Sequence, residues 1–198
     1  MGHALLTQLL MPTLLRTQQS SPSSDVRVIV VASKAMSSMV PKEGLILPKM
    51  KTDGSDVSLL TLYGHSKLAN VMFARKLAQL YPAITSVSLH PGTVKSDIWD
   101  KAKLTGWIGW IGQTVFIPLL VKFLAVTSEE GAKTQLWASV AKVGGSDSLE
   151  NGMYYEPIGK KTSLGPFAGD QAKVGELWKW TEDELRANGG PGWPKASL

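Results

Sequence analysis

The chain has 198 residues, 43% of them hydrophobic and 19% charged, with a formal net charge of +5 and no cysteine. That length and composition suit one compact domain with a buried core rather than a disordered segment. The lack of cysteine excludes disulfides, thiol nucleophiles, zinc ribbons and iron–sulfur clusters; His3, His65 and His90 have no metal-ligand spacing, and no basic block interleaved with aromatics points to nucleic acid.

Residues 1–24 are apolar and polar-uncharged apart from Arg16 and His3, and the first acid is Asp25. No Lys or Arg precedes the apolar run, as a signal peptide requires, and Leu6 stands where N-myristoylation needs Ser or Thr. Leu5, Leu6, Leu9 and Leu10 form one stripe at helical spacing, which predicts an amphipathic helix. After a Ser/Pro loop, residues 26–31 (VRVIVV) read as a buried parallel strand, being β-branched and nearly continuous in apolar character. Residues 34–60 carry Pro41, Gly44, Pro48 and Gly54 and are expected to be irregular.

From about Leu62 to Leu80 the period turns helical, with Ala69, Met72, Phe73, Leu77 and Leu80 on one face; Pro82 ends the helix. Residues 84–89 (ITSVSL) predict a second strand, closed by His90-Pro91-Gly92. Residues 106–126 are nearly long enough to span a bilayer, but Gln113, Pro118, Lys122 and three glycines argue for a substrate-covering lid or a docked helix. Shallow membrane contact through Trp107 and Trp110 is the alternative. A helix opens at Ser128, expected as its N-cap, with Glu129 and Glu130 in the first turn. A third strand at 152–156 and a helix over about 170–187 complete the chain. Alternating helices and strands define an α/β fold with parallel pairing through right-handed crossovers.

The chemistry concentrates in Tyr63-Gly64-His65-Ser66-Lys67. Residues four apart on a helix share a face. A free tyrosine titrates near pH 10, and a neighbouring ammonium favours its phenolate, the direction that suits acid–base work at neutral pH. Alone, such a pair is a common surface feature. Ser33 directly follows the first strand, at the end where open α/β sheets bind ligands. A strand-end serine bonding its own loop is the plain alternative. After the second strand, Gly92 permits close backbone approach, and Thr93 and Ser96 offer hydroxyls to a phosphate or amide, or else simply make a turn.

Together these residues resemble the short-chain dehydrogenase/reductase family. The matches are Tyr63-x-x-x-Lys67 within Ser66-Lys67-Leu68-Ala69-Asn70, Ser33 upstream, and Pro91-Gly92-x-Val94-x-Ser96 after the following strand. The gap from Ser33 to Tyr63 is similar to that of the retinol-dehydrogenase-like branch, and Gly2-His3-Ala4-Leu5-Leu6-Thr7 resembles the helix before the serine strand. The resemblance runs almost end to end. It implies the C-terminal part of a Rossmann-type doubly wound parallel sheet, about three strands with flanking helices.

It also implies a function: hydride transfer between NADP, or NAD in its place, and a carbonyl or alcohol of a small lipophilic substrate. Tyr63 would then exchange the proton, Lys67 would support it and hold the nicotinamide ribose, and Ser33 would polarise the carbonyl. Pro91, Gly92, Val94 and Ser96 would meet the nicotinamide end of the cofactor. Ser96 stands where the family usually has Thr, and Ala32 replaces a common Ser. A homo-oligomer and a cytoplasmic location are expected.

The family's glycine-rich turn and its Asn-Asn-Ala-Gly segment have no counterpart in the sequence; Gly106, Gly109 and Gly112 have the wrong spacing. The resemblance therefore implies a shortened chain lacking the first two βαβ repeats, with the 26–31 strand left as an apolar sheet edge. The rival expectation is an inactive remnant that acts through protein association.

Overall fold

The computed structural model describes residues 1–21, 23–52, 56–94, 126–144 and 148–195. The 106–125 part of the expected lid, and Ser96, lie outside these. One sheet is formed in the order β1–β2–β3–β4, by β1 (Arg27–Val31), β2 (Thr85–Leu89), β3 (Tyr154–Glu156) and β4 (Lys160–Thr162). β1 and β2 pair in parallel with Arg27 opposite Thr85 and Val31 opposite Leu89, and β2 pairs in parallel with β3. β4 turns back antiparallel onto β3. The α/β class and three parallel strands are as expected. The fourth strand is an addition: Lys160-Lys161-Thr162 has no apolar alternation to announce it, and its lysines are exposed.

Burial follows position in the sheet. Central β2 is buried along its whole length, as its flanked position requires, whereas β1 is half-buried and ends at exposed Val31. β1 is thus the edge expected from the sequence, and an open groove of about 320 Å³ runs beside it, walled by Leu6, Leu10 and Leu14.

Helix α1 (Gly2–Ser20) forms as expected, but its leucine stripe does not face the core. Ala4, Gln8 and Met11 are buried, while Leu5, Leu6, Leu9 and Leu10 stay exposed. Among its described residues before α3, the irregular stretch holds the short α2 (Ala35–Ser38) and a 3-10 turn (Leu47–Lys51). The long helix α3 (Leu59–Leu80) begins where the Ser58 side chain accepts the Thr61 N–H at 3.1 Å, satisfying one of the orphan donors of the first turn. Leu68, Val71, Met72 and Leu77 bury one face of α3 between the sheet and α6 (Gln171–Ala187). Helix α4 (Ser128–Val140) is capped by Thr127, one residue before the expected Ser128; the Thr127 hydroxyl accepts the Glu130 N–H. Asp170 caps α6, after the short α5 (Gly165–Ala168). Among the described residues no helix is long and apolar enough to cross a membrane.

The C-terminal stretch folds back over α3. Trp193 packs against Trp178, Phe73 and Tyr81, with centroid separations of 4.7, 6.0 and 6.5 Å, and the Tyr81 hydroxyl donates to the Pro194 carbonyl at 2.6 Å.

Arg27 links the edge strand to α4. Its guanidinium donates to the carbonyls of Ala138 and Ala141 at 2.6 and 2.7 Å, the C-terminal end of α4, and to Asp25. A cation at a helix C-terminus meets both the orphan carbonyls and the negative end of the helix dipole. The Arg27 side chain is only 8% exposed, so these bonds sit where water substitutes poorly. Asp25 is 54% exposed and its attraction is screened. Arg27→Met should lower the unfolding free energy by about 2 kcal/mol or more, and Asp25→Asn by less than about 1 kcal/mol, both read from urea denaturation.

Candidate functional site at the C-terminal ends of the strands

Because α3 connects two parallel strands, it must run antiparallel to them. Its N-terminal half, which carries Tyr63 and Lys67, is therefore returned to the strands' C-terminal ends. Both side chains are half-buried, and the Lys67 ammonium lies 5.5 Å from the centre of the Tyr63 ring. The shared face expected from their spacing is observed, with the cation over the ring.

Gly64 lets this part of α3 approach the neighbouring loop. A β-carbon there would lie 2.7 Å from the Met39 carbonyl oxygen and 2.8 Å from its carbon, closer than backbone atoms allow. Glycine costs a helix interior about 1 kcal/mol relative to alanine, and the close approach is what it provides here. The signal in the sequence was a glycine next to the key tyrosine, legible as a packing demand only once the partner was known.

Ser33 follows β1 by one residue after Ala32 and is half-buried. Its hydroxyl accepts the Ala35 N–H at 3.3 Å, a long bond to its own loop. A Ser hydroxyl keeps a further acceptor lone pair and its proton free for another partner. β2 is followed by His90, whose N–H donates to the Tyr155 carbonyl. Pro91, Gly92 and Thr93 then leave the sheet, with Gly92 in the left-handed region at φ +93°. Val94 is held by a parallel bridge to Val126, and a β-carbon on Gly131 of α4 would clash with a Val94 methyl. So Ser33, the Tyr63–Lys67 face and the Pro91–Val94 turn belong to one end of the sheet.

Two charged groups that no sequence motif singles out sit at the same end. The Lys34 ammonium, next to Ser33, lies 3.9 Å from Glu156, the last residue of β3. His90 lies near both, and its Nδ1 is buried without a hydrogen-bond partner. Burial depresses the His90 pKa most strongly, Glu156 opposes this and Lys34 adds to it. His65 is 1% exposed on α3, its Nε2 is unpartnered, and burial depresses its pKa against a hydrogen bond to the Gly44 backbone.

A nicotinamide dinucleotide is the group that the sequence resemblance implies, and the residues present match its two ends unequally. For a ring amide and a ribose, the strands' C-terminal ends offer the Ser33 hydroxyl, the Tyr63 phenol and the Lys67 ammonium, and the side-chain-free backbone of Gly92 lies at the same end of the sheet. Among the described residues no glycine-rich turn joins a strand end to a helix N-terminus, the device that cradles a pyrophosphate.

Comparison with known proteins gives a consistent set of relatives. The chain is 31% identical over 183 residues to an uncharacterised oxidoreductase of Schizosaccharomyces pombe, covering 91% of this chain and 51% of that protein. It is 30% identical over 193 residues to the short-chain dehydrogenase/reductase drtF of Aspergillus calidoustus, covering 94% and 59%. It is 32% identical over 180 residues to human retinol dehydrogenase 12, covering 90% and 49%. The chain thus spans about half the length of the curated relatives it matches. No protein-family model matches it. A crystal structure of an uncharacterised protein from Mycobacterium paratuberculosis superposes with a TM-score of 0.54 at 19% identity, over 89% of this chain and 54% of that one, which supports the fold.

Buried His65 and half-buried His90 set a pH dependence. Unfolded, both take up a proton near the ordinary value of 6.5; folded, both do so only at lower pH. Between those values the unfolded chain binds more protons, so stability falls as pH drops below about 6.5 and levels off below the folded values. Urea unfolding between about pH 7.5 and pH 5 should show this loss, and His65→Gln should make it shallower.

Proposed function

The chain belongs to the short-chain dehydrogenase/reductase family, and on that premise we propose that it carries the acid–base half of an NAD(P)-dependent oxidoreductase. NADP is the favoured cofactor, with NAD its alternative. The observation that carries the reading is the Lys67 ammonium 5.5 Å from the centre of the Tyr63 ring, on the helix end that meets the C-terminal ends of the strands. The cofactor, when bound, exchanges hydride with the carbon of a carbonyl or alcohol. Tyr63 gives its phenolic proton to the carbonyl oxygen in reduction and takes it back in oxidation. Lys67 holds positive charge beside the phenol and bonds the ribose hydroxyls. Ser33 donates its hydroxyl proton in a hydrogen bond to the substrate oxygen. The backbone of Pro91, Gly92 and Val94, with Ser96, orients the nicotinamide end. The apolar 106–126 segment favours a small lipophilic substrate. A cytoplasmic, oligomeric protein is part of the same reading.

The test is NADPH consumption by the purified chain with medium-chain aldehydes and ketones. Tyr63→Phe should cut turnover by about 100-fold or more, the usual worth of a positioned acid, with an unchanged circular dichroism spectrum. Undiminished turnover in that variant removes the assignment.

A second reading, a non-catalytic association partner, draws on one specific observation. β1 is an edge strand beside an apolar groove, with Val31 39% exposed and Leu6 and Leu9 more than half exposed. Open apolar edges recruit another strand. This reading expects sedimentation to become concentration-dependent in the micromolar range with no NADPH-dependent quenching of tryptophan fluorescence. A monomer that binds NADPH contradicts it.

A further inference from the structure

We propose that Asn70 is a positioning residue that fixes Ser33 relative to Tyr63, a role that rests on the oxidoreductase reading of the site. Tyr63, Lys67 and Asn70 stand at i, i+4 and i+7 on α3 and so form one stripe. The Asn70 side-chain amide donates to the Val31 carbonyl at 3.1 Å, and its Oδ1 lies 3.4 Å from the His3 ring. One side chain therefore ties the Tyr–Lys helix to the strand that delivers Ser33 and to the start of α1.

The direction of the Val31 carbonyl gives this bond its weight. In a strand, the N–H and C=O of one residue point to the same side, and alternate residues point to opposite sides. Val26 and Ala32 both bond β2, through the Val26 carbonyl and the Ala32 N–H. Residues 27, 29 and 31 therefore face the side of β1 on which no strand pairs among the described residues. Asn70 supplies from a helix the donor that a neighbouring strand would otherwise offer at this point. An edge strand is held on one side only, so its far end is free to slide or twist against α3. Asn70 is the polar link that opposes this.

The tether is also well placed along both elements. α3 runs antiparallel to β1, so moving from Asn70 toward Tyr63 and from Val31 toward Ser33 goes the same way. Ser33 is two residues on, about 6.6 Å along an extended chain. Tyr63 is seven residues back, about 10.5 Å along the helix. Both hydroxyls lie beyond the same fixed point, and a twist of β1 about β2 displaces Ser33 while leaving Tyr63 in place.

The cysteine-free chain allows a direct measurement that does not depend on turnover. Ser33→Cys with Tyr63→Cys is treated with a short bifunctional thiol reagent, in parallel with a control pair, Gln79→Cys with Gln171→Cys. The control side chains bond each other at 2.7 Å, across α3 and α6. Asn70→Asp is then added to each pair; it keeps the shape, loses the donor and sets a carboxylate against the Val31 carbonyl. Asn70→Ala serves as the second variant should the aspartate prevent folding. The expected result is a several-fold loss of bridging at the Ser33/Tyr63 pair, with the control pair unchanged.

Equal losses in both pairs overturn the positioning role and leave only general loosening. No loss in either pair overturns it as well, as does a parent Ser33/Tyr63 pair that fails to bridge. In the cysteine-free chain, Asn70→Asp should lower kcat by about 100-fold with little change in the KM for NADPH. Absence of turnover in the unsubstituted chain removes the oxidoreductase reading, while the bridging result still decides whether Asn70 sets the Ser33–Tyr63 geometry.

Discussion

The parallel pairing of β1 with β2 is the constraint from which the rest follows. Parallel neighbours cannot be joined by a tight turn, so the chain must travel back across the sheet before the second strand begins. α3 makes that return, and its 22 residues from Leu59 to Leu80 are more than enough to recross five-residue strands. The direction of α3 decides which of its residues reach the strands' C-terminal ends. Those of its N-terminal half do, and Tyr63 and Lys67 are among them. Had β1 and β2 been antiparallel, their C-terminal ends would lie on opposite sides of the sheet, and the same motif could have met only one of them.

Much of this was legible in the sequence because the signals were periodic. The α3 register, the β2 run and the Tyr63–Lys67 spacing come from patterns that local geometry enforces. What escaped the sequence were features set by contacts between distant segments. The leucines of α1 obey helical spacing, yet the core selected the opposite face, where Ala4 and Met11 fit closely and Gln8 is also enclosed. β4 has no apolar alternation because it only completes a hairpin beside β3. The caps differ by one residue at α4, since Thr127 and Ser128 offer the same hydroxyl and only the backbone path distinguishes them. Asn70 could be read as part of a motif, but its bond to Val31 depends on the sheet edge, which no spacing reveals.

The chain spans about half the length of the relatives it matches, and among the described residues its sheet is open at β1. Along most folded domains, an apolar groove beside an unpaired strand is covered or charged. Here Val28 and Ile29 line it and the exposed leucines of α1 wall it. On the proposed reading, the described residues serve a carbonyl or alcohol and the nicotinamide end, while the pyrophosphate end calls for groups of a kind found in none of them. Two needs, a strand for the edge and a cradle for phosphate, arise on the same molecule.

The fold-back of the C-terminal stretch bears on synthesis. Tyr81 and Pro194 are bonded although 113 residues separate them, and Trp193 completes an aromatic stack that otherwise leaves Phe73 and Trp178 partly uncovered. Contacts of such sequence separation are slow to form, because a large loop must be closed first. On the ribosome, α3 emerges long before its aromatic cover does. Until Trp193 clears the exit tunnel, that face of α3 stays available to chaperones and to other nascent chains, so this core closes only well after α3 itself has emerged.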